Sequence, residues 1–461
     1  MSSAGDLNES FYRIGVKCVR VPEEVVRVQR WLLEDGRECG SLYLLVQGLV
    51  PRILIHDIPL DGVLMATYLI HPQLGAWHFT FESPDRYNEI PFEKASYQQM
   101  EQDAGPDAPF NQLRHGTADR VRIRIKDGDE PKGMESYFSG KDFTDAYIMP
   151  VHHRRKFVIG LCVATKCRGG WSDDHIEFFE GILPALGSTV QFLVNELVSY
   201  SLLCTYLGND AGTRVYMGSV DRGDAVTVRS VIWFSDIRNY TGLSLQMDRD
   251  NVIALVNQVF EITEAAVQAH GGEILKFLGD GWMVSFSEHS ATQKRRTTII
   301  TENRLPPLNK VLEVNANEEE DTGGPGVVLC QQAKAAAIDF QRRIFALRKL
   351  RSEKGLPGPH VGVGLHYGDC SYGNVGAPSR FDFTVIGPAV NLCSRVESLC
   401  RTLDANVLGT KEFVRLEGDV NSWDCKGEHT VKGVDKPVSV FELKATSQYE
   451  TGPNNVKQTN S

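Results

Sequence analysis

At 461 residues the chain is longer than one domain usually holds, and its 42% apolar content can fill two cores. A net charge of −10 argues against nucleic acid as the main partner, because phosphate binding by charge needs basic patches. The ten cysteines include no Cys-x-x-Cys pair and no zinc-type spacing, which points to reduced thiols. The first ten residues are polar, with no secretory core. The apolar stretch 42–70 is broken by Gln47, Arg52, His56, Asp57 and Asp61. No membrane span and a cytoplasmic location are therefore expected.

In chain order, Val25, Val26, Val28, Trp31, Leu32 and Leu33 recur at near-helical spacing after Pro22. Asp145–Pro150 and Phe157–Thr165 read as antiparallel strands joined by a charged turn. Gly169, Gly170 and Trp171 then lead to Ser172, a good N-cap, with Asp173 and Asp174 in the first turn of a long apolar helix to about residue 200. Pro184 lies inside that helix and should kink it. Hairpin, glycine pair, aromatic and acid-capped helix together resemble the end of a GAF-type sensory domain. The resemblance implies a regulatory domain over 1–200 that answers an unknown ligand, and it covers about fifty residues well. Residues 201–228 read as a connector.

The alternation of strand and helix changes after residue 229. Val231, Ile232, Trp233 and Phe234 form an apolar run that ends at Asp236. A helix over about 250–269 carries Val252, Leu255, Val256 and Val259 on one face. A hairpin follows over 273–286, turning at Gly279, Asp280 and Gly281. Residues 288–328, with Lys294, Pro306, Glu318 and Gly323, have the composition of an exposed insertion. Beyond it come a helix over about 331–351, a strand over 360–367, a helix over 388–401 and short strands ending near Leu443. This order suggests an α+β domain with a ferredoxin-like core over 229–445. A polar tail, 446–461, has nothing to bury and is expected to be disordered.

Two strand-end aspartates, Asp236 and Asp280, have the chemistry that hard divalent cations favour. Three segments carry a family resemblance: Phe234–Thr241, Lys276–Gly281 and Arg380–Arg395. In this order they resemble the signatures of class III nucleotidyl cyclases. The resemblance implies that Asp236 and Asp280, with the Ile237 carbonyl, hold two Mg²⁺ or Mn²⁺ ions. It implies that Asn391 orients a ribose and that Arg395 meets charge at the α-phosphate. Lys276 and Thr384 would read the base, with Asp382 as the neighbouring acceptor, and Lys432 would touch the terminal phosphates. Asn239 stands where relatives often have glycine, and asparagine tolerates the left-handed backbone such a turn needs. Backbone N–H groups in that turn could cradle phosphate oxygens.

Lysine donates only, so Lys276 suits the acceptor nitrogen of adenine rather than the ring N–H of guanine. The expected substrate is ATP, and the expected products are cyclic AMP and pyrophosphate. In the family the metal aspartates of one subunit face the base and phosphate residues of the other. One chain with both halves therefore implies a homodimer with two equivalent sites. A guanylate cyclase and a catalytically silent nucleotide-binding module are the alternatives. Lys276 speaks against the first, and retention of both aspartates and of Arg395 speaks against the second. Without the resemblance, Lys276 and Lys432 would read as solvated lysines, and Arg395 as a partner of Glu397.

Overall fold

In the computed structural model, residues 22–68, 74–125, 133–153, 156–287 and 324–447 are described. The expected insertion lies outside them except for its last residues, as does most of the tail. The chain divides into two compact units between Ser199 and Tyr200.

The first unit is an antiparallel sheet with helices on both faces. Its strands are β1 (Gly62–Tyr68), β2 (Leu74–Glu82), β3 (Arg86–Glu93), β4 (Val121–Arg124), β5 (Asp145–His153) and β6 (Lys156–Thr165), in the order β3-β2-β1-β6-β5-β4. Its helices are α1 (Glu23–Leu33), α2 (Leu42–Leu54), α3 (Lys94–Ala104), α4 (Pro109–His115), α5 (Glu135–Phe138) and the start of α6 (Asp173–Leu207). Strand alternation sends Val63 and Met65 to one face, where they join α1, α2 and α6 in the main core. Leu64 goes to the other face and joins Leu113, Tyr137 and Phe138.

The glycine pair has a local cause. Gly170 takes φ +68°, and a Cβ there would collide with the buried Asp145 carboxylate. That carboxylate accepts the Trp171 N–H at 3.0 Å and pairs with Arg122 at 2.7 Å. Ser172 caps α6 by accepting the His175 N–H at 3.2 Å. Pro184 does not end α6, which continues to Leu207. Among the described residues α6 is the helix long and apolar enough to cross a membrane, yet Phe179, Ile182, Leu186 and Val190 on it are fully buried in the first unit.

The second unit opens with the end of α6 and α7 (Asn209–Tyr216), so the expected connector is ordered. Its sheet has β7 (Ala225–Ile237), β8 (Glu273–Leu278), β9 (Gly281–Phe286), β10 (Val361–Ala377), β11 (Arg380–Ile386), β12 (Val407–Thr410), β13 (Trp423–His429) and β14 (Val438–Leu443). The order is β13-β14-β12-β10-β7-β9-β8, with β11 paired to β10. The helices are α8 (Tyr240–Ser244), α9 (Arg249–Ala269), α10 (Pro325–Glu353), α11 (Pro388–Thr402), α12 (Lys411–Glu417) and α13 (Lys444–Ser447). The run β7-α9-β8-β9-α10-β10 is the βαββαβ arrangement of a ferredoxin-like core. Val231, Trp233 and Ile237 of β7 pack with α9 and α10. Val228 and Ile232 face the other way, where Val390 and Cys393 of α11 lie.

Several boundaries differ from those expected: α6 runs to Leu207 rather than about residue 200, and β7 starts at Ala225, inside the expected connector. Helix α10 begins at Pro325, inside what reads as insertion, because proline is well suited to a first helical position. Strand β10 runs on to Ala377 rather than stopping near Tyr367. Gly373 is where a Cβ would strike the Asp224 carbonyl, so glycine there lets β7 and β10 pair along their length. Thr446 is fully buried and its carbonyl accepts from Asn406 at 3.2 Å, so the fold extends past the expected start of the tail.

Helix α7 is tied to β8 by a half-buried carboxyl. Glu273 accepts the Asp210 N–H at 2.9 Å, and Arg214 pairs with Asp210 at 2.8 Å. Burial pushes the Glu273 pKa up to about 7, against the backbone N–H groups that lower it. The folded value exceeds the ordinary 4.5, so the folded state holds the extra proton and loses stability as pH rises from about 4.5 to about 7. Glu273→Gln should escape this loss. The melting temperature of the variant minus that of the parent should be higher at pH 8 than at pH 5. A difference that does not change with pH would show that burial does not hold this proton.

Candidate active site

The site is built at the carboxyl end of β7. Asp236 is its penultimate residue and pairs in register with Gly281 of β9. The hairpin β8–β9 turns through Gly279 and Asp280, and Gly279 has φ +74°. Glycine at the first central position of a two-residue turn matches the twist of the strands. The Ile237 N–H reaches the Asp280 carbonyl at 3.3 Å, pinning the hairpin tip to the end of β7. A Cβ on Gly281 would sit 2.9 Å from the Ser235 carbonyl, so glycine is what lets the two strands close there.

This closure sets the Asp236 and Asp280 carboxyls against each other. The Asp236 pKa rises to about 6, first through burial, then through its hydrogen bond with Asp280 and the charge on Asp280. Glu397 of α11 belongs to the same neighbourhood. Its pKa rises to about 7, first through burial and then through the charge of Asp236, while Arg238 and Arg401 pull it down. Glu397 would read as a partner of Arg395 only without the resemblance; in the structure it feels the charge of Asp236. The available signal was its place beside the buried stripe Cys393, Val396 and Cys400. Arg238 holds this arrangement. Its guanidinium binds the carbonyls of Ala405 and of Cys400, the latter at 3.4 Å, and pairs with Asp404 at 3.4 Å.

The donor set fits a hard divalent cation. Two carboxylates and the Ile237 carbonyl offer oxygen only, and the repulsion that raises Asp236 is what a cation would relieve. Among the described residues no group of three His, Cys, Asp or Glu side chains is arranged to hold a metal, so Glu397 adds charge nearby rather than a third ligand.

The remaining residues fall into separate places. Lys276 of β8 pairs with Asp382 of β11 at 2.7 Å. Thr384, two residues further along β11, is buried, and its hydroxyl has no hydrogen-bond partner. Asn391 and Arg395 both lie on the exposed face of α11. Arg395 is two residues before Glu397, about 200° around the helix, so it points away from this chain's own Asp236. Lys432 is exposed in the turn between β13 and β14. Asn239 takes φ 54° and ψ 34°, the left-handed conformation, ahead of α8. Gly242 makes room for its side chain, since a Cβ there would lie 2.6 Å from the Asn239 amide.

Residues 221–445 match the family described as adenylate and guanylate cyclase catalytic domain. The adenylate cyclase of Anabaena cylindrica is 29% identical over 230 residues, which are 49% of this chain and 39% of that protein. The terminal-differentiation-specific adenylate cyclase of Dictyostelium discoideum is 28% identical over 232 residues, 49% of this chain and 9% of that protein. The chain thus spans well under two thirds of these relatives. Among solved structures, the adenylyl cyclase CyaB from P. aeruginosa is 26% identical over 48% of this chain and 95% of that chain, with a TM-score of 0.37. The guanylyl cyclase Cya2 is 24% identical over 48% and 94%, with a TM-score of 0.34. The family match covers the whole sheet from β7 to β14 and includes both strand-end aspartates, and it identifies residues 221–445 as a class III nucleotidyl cyclase catalytic domain.

Proposed function

We propose that this domain is an adenylate cyclase that converts ATP to 3′,5′-cyclic AMP and pyrophosphate in a homodimer with two equivalent sites. The observation that carries the reading is the Asp236–Asp280 pair, brought together by a hairpin locked to the end of β7. These carboxylates and the Ile237 carbonyl would hold two Mg²⁺ or Mn²⁺ ions, whose chemistry when bound is to neutralise phosphate charge and to acidify the ribose 3′-hydroxyl. The 3′ oxygen attacks the α-phosphorus, its proton is lost, and the bond to pyrophosphate breaks. Arg395 meets the charge that builds at the α-phosphate, Asn391 orients the ribose, and Lys432 meets the terminal phosphates. The outward direction of Arg395 supports a site completed by a second copy of the chain. The first unit is proposed to be a GAF-like regulatory domain for an unknown ligand, and the whole protein to be cytoplasmic.

Adenine is favoured by the base edge. Lys276 donates to the ring nitrogen, and the unpartnered Thr384 hydroxyl accepts from the exocyclic amine. Purified protein given ATP or GTP with Mg²⁺ or Mn²⁺ should form chiefly cyclic AMP. Predominant cyclic GMP would make it a guanylate cyclase, and no cyclic product from either would end the enzyme reading. Lys276→Glu with Thr384→Cys should reverse the polarity of the edge. A mismatched buried polar group costs about 1–3 kcal/mol, so two of them should shift the cyclic AMP to cyclic GMP rate ratio by about one to four orders of magnitude toward GTP. An unchanged ratio in an active double variant would show that these residues do not read the base.

A further inference from the structure

Asp236 stands in a row of the sheet whose neighbouring positions carry no side chain. Its register partners are Gly281 on β9 and Gly362 on β10. Residues paired across antiparallel strands share a face, with Cβ positions about 5 Å apart. A Cβ on Gly362 would lie 2.9 Å from Glu397 Oε1, and one on Gly364 would lie 2.5 Å from the Glu397 backbone nitrogen. The Glu397 carboxylate thus fills the place of the missing side chain beside Asp236, on the same face. Helix α11 is fixed there by two thiols, about one turn to either side. Cys393 donates to the Gly364 carbonyl at 3.2 Å, and Cys400 to the Val363 carbonyl at 3.3 Å.

The half-buried carboxylate is acted on through charge alone. Asp236 and Asp280 repel it, Arg238 and Arg401 attract it, and among the described residues no hydrogen bond or ion pair reaches it. A carboxylate drawn out of water without donors is costly, so one held against two others points to donors brought by a ligand. The three carboxyls are not arranged as a ligand set for one ion. A hard cation such as Mg²⁺ takes few protein oxygens and keeps several waters, and their O–H groups are donors.

We propose that Glu397 is a positioning residue for the cation: its carboxylate accepts hydrogen bonds from the hydration shell of an ion held by Asp236 and Asp280, and steers that shell without binding the ion. The proposal rests on the two-aspartate metal reading above. It also gives Gly362 and Gly364 a use, since a side chain at either would lift α11 and carry the carboxylate away from Asp236.

The test needs no nucleotide. The full chain is titrated with Mn²⁺ alone, and the free ion is read from its electron paramagnetic resonance signal. Outer partners of this kind are worth about 10–100-fold in metal affinity, so Glu397→Gln should weaken binding about tenfold or more. Glu397→Asp keeps the charge at a shorter reach and should fall between that variant and the parent. Asp404→Asn removes an exposed carboxylate that pairs with Arg238, and because exposed charge is screened it should change binding less than about twofold. In turnover, Glu397→Gln should raise the Mg²⁺ concentration for half-maximal rate about tenfold, with a much smaller change in the rate at saturating Mg²⁺. Parent-like Mn²⁺ affinity in Glu397→Gln or a loss in Asp404→Asn as large as in Glu397→Gln would overturn the proposal and leave the aspartate site standing. Mn²⁺ binding that Asp236→Ala does not reduce would overturn the aspartate site, and the proposal with it.

Discussion

Asp236→Ala and Asp280→Ala should each lower cyclic nucleotide formation about a thousandfold or more while the fold survives. Each removes a charged ligand from both proposed ions, and metal stabilisation of phosphoryl transfer amounts to several kcal/mol, where about 4 kcal/mol is a thousandfold in rate. Survival of the fold follows from the electrostatics. The Asp236 pKa stands at about 6 in the folded chain, above its ordinary 3.8, so the ionised carboxylate is a burden on the fold. The folded state is favoured by the proton, and that advantage is lost as pH rises from about 4 to about 6. At pH 8 the Asp236→Ala protein should therefore melt no lower than the metal-free parent. Added Mg²⁺ should raise the melting temperature of the parent and not of the variant, because only a folded site binds the ion. Near-normal turnover in either variant, or an equal Mg²⁺ shift in all three proteins, would remove the two-aspartate site.

Mixing two dead proteins should restore activity. Asp236→Ala and Arg395→Ala should each be inactive alone. In a heterodimer one site combines the intact Asp236 of one copy with the intact Arg395 of the other, and the second site lacks both. Random exchange makes half the dimers mixed, and half of their sites are sound, so recovery should approach about a quarter of the parent rate. The structural ground is α11: Glu397 is turned toward Asp236, and Arg395 stands on the opposite, exposed side. Exchange that demonstrably forms heterodimers yet restores nothing would mean that each chain completes its own site.

Much of the second unit was legible from residues alone, for reasons of range. The apolar run before Asp236, the Gly279–Asp280 turn, the apolar stripe of α9 and the face shared by Asn391 and Arg395 are all set within a few residues of chain. Period and turn chemistry report such features directly. Asn239 belongs with them, since its left-handed backbone is a local property of the turn it makes. Boundaries failed where a residue's local preference differed from its tertiary use. Gly373 lies beyond the strand expected over 360–367 and is a point of close strand approach; Pro325 lies in the segment expected to be an insertion and starts a helix.

The family segments, the strand-end aspartates and Lys276 on β8 were thus legible in the residues alone. What those groups face depends on how distant segments pack. Asp382 meets Lys276 because β8 and β11 come together across a sheet whose strand order departs from chain order. Glu397 meets Asp236 because α11 lies over β7 and β10, held there by Arg238 reaching the carbonyls at its far end. Glu273 is driven toward neutrality by the burial that comes with docking α7 on β8. Pairings of this kind depend on which distant segments are packed together, and burial and mutual charge act only once that packing exists.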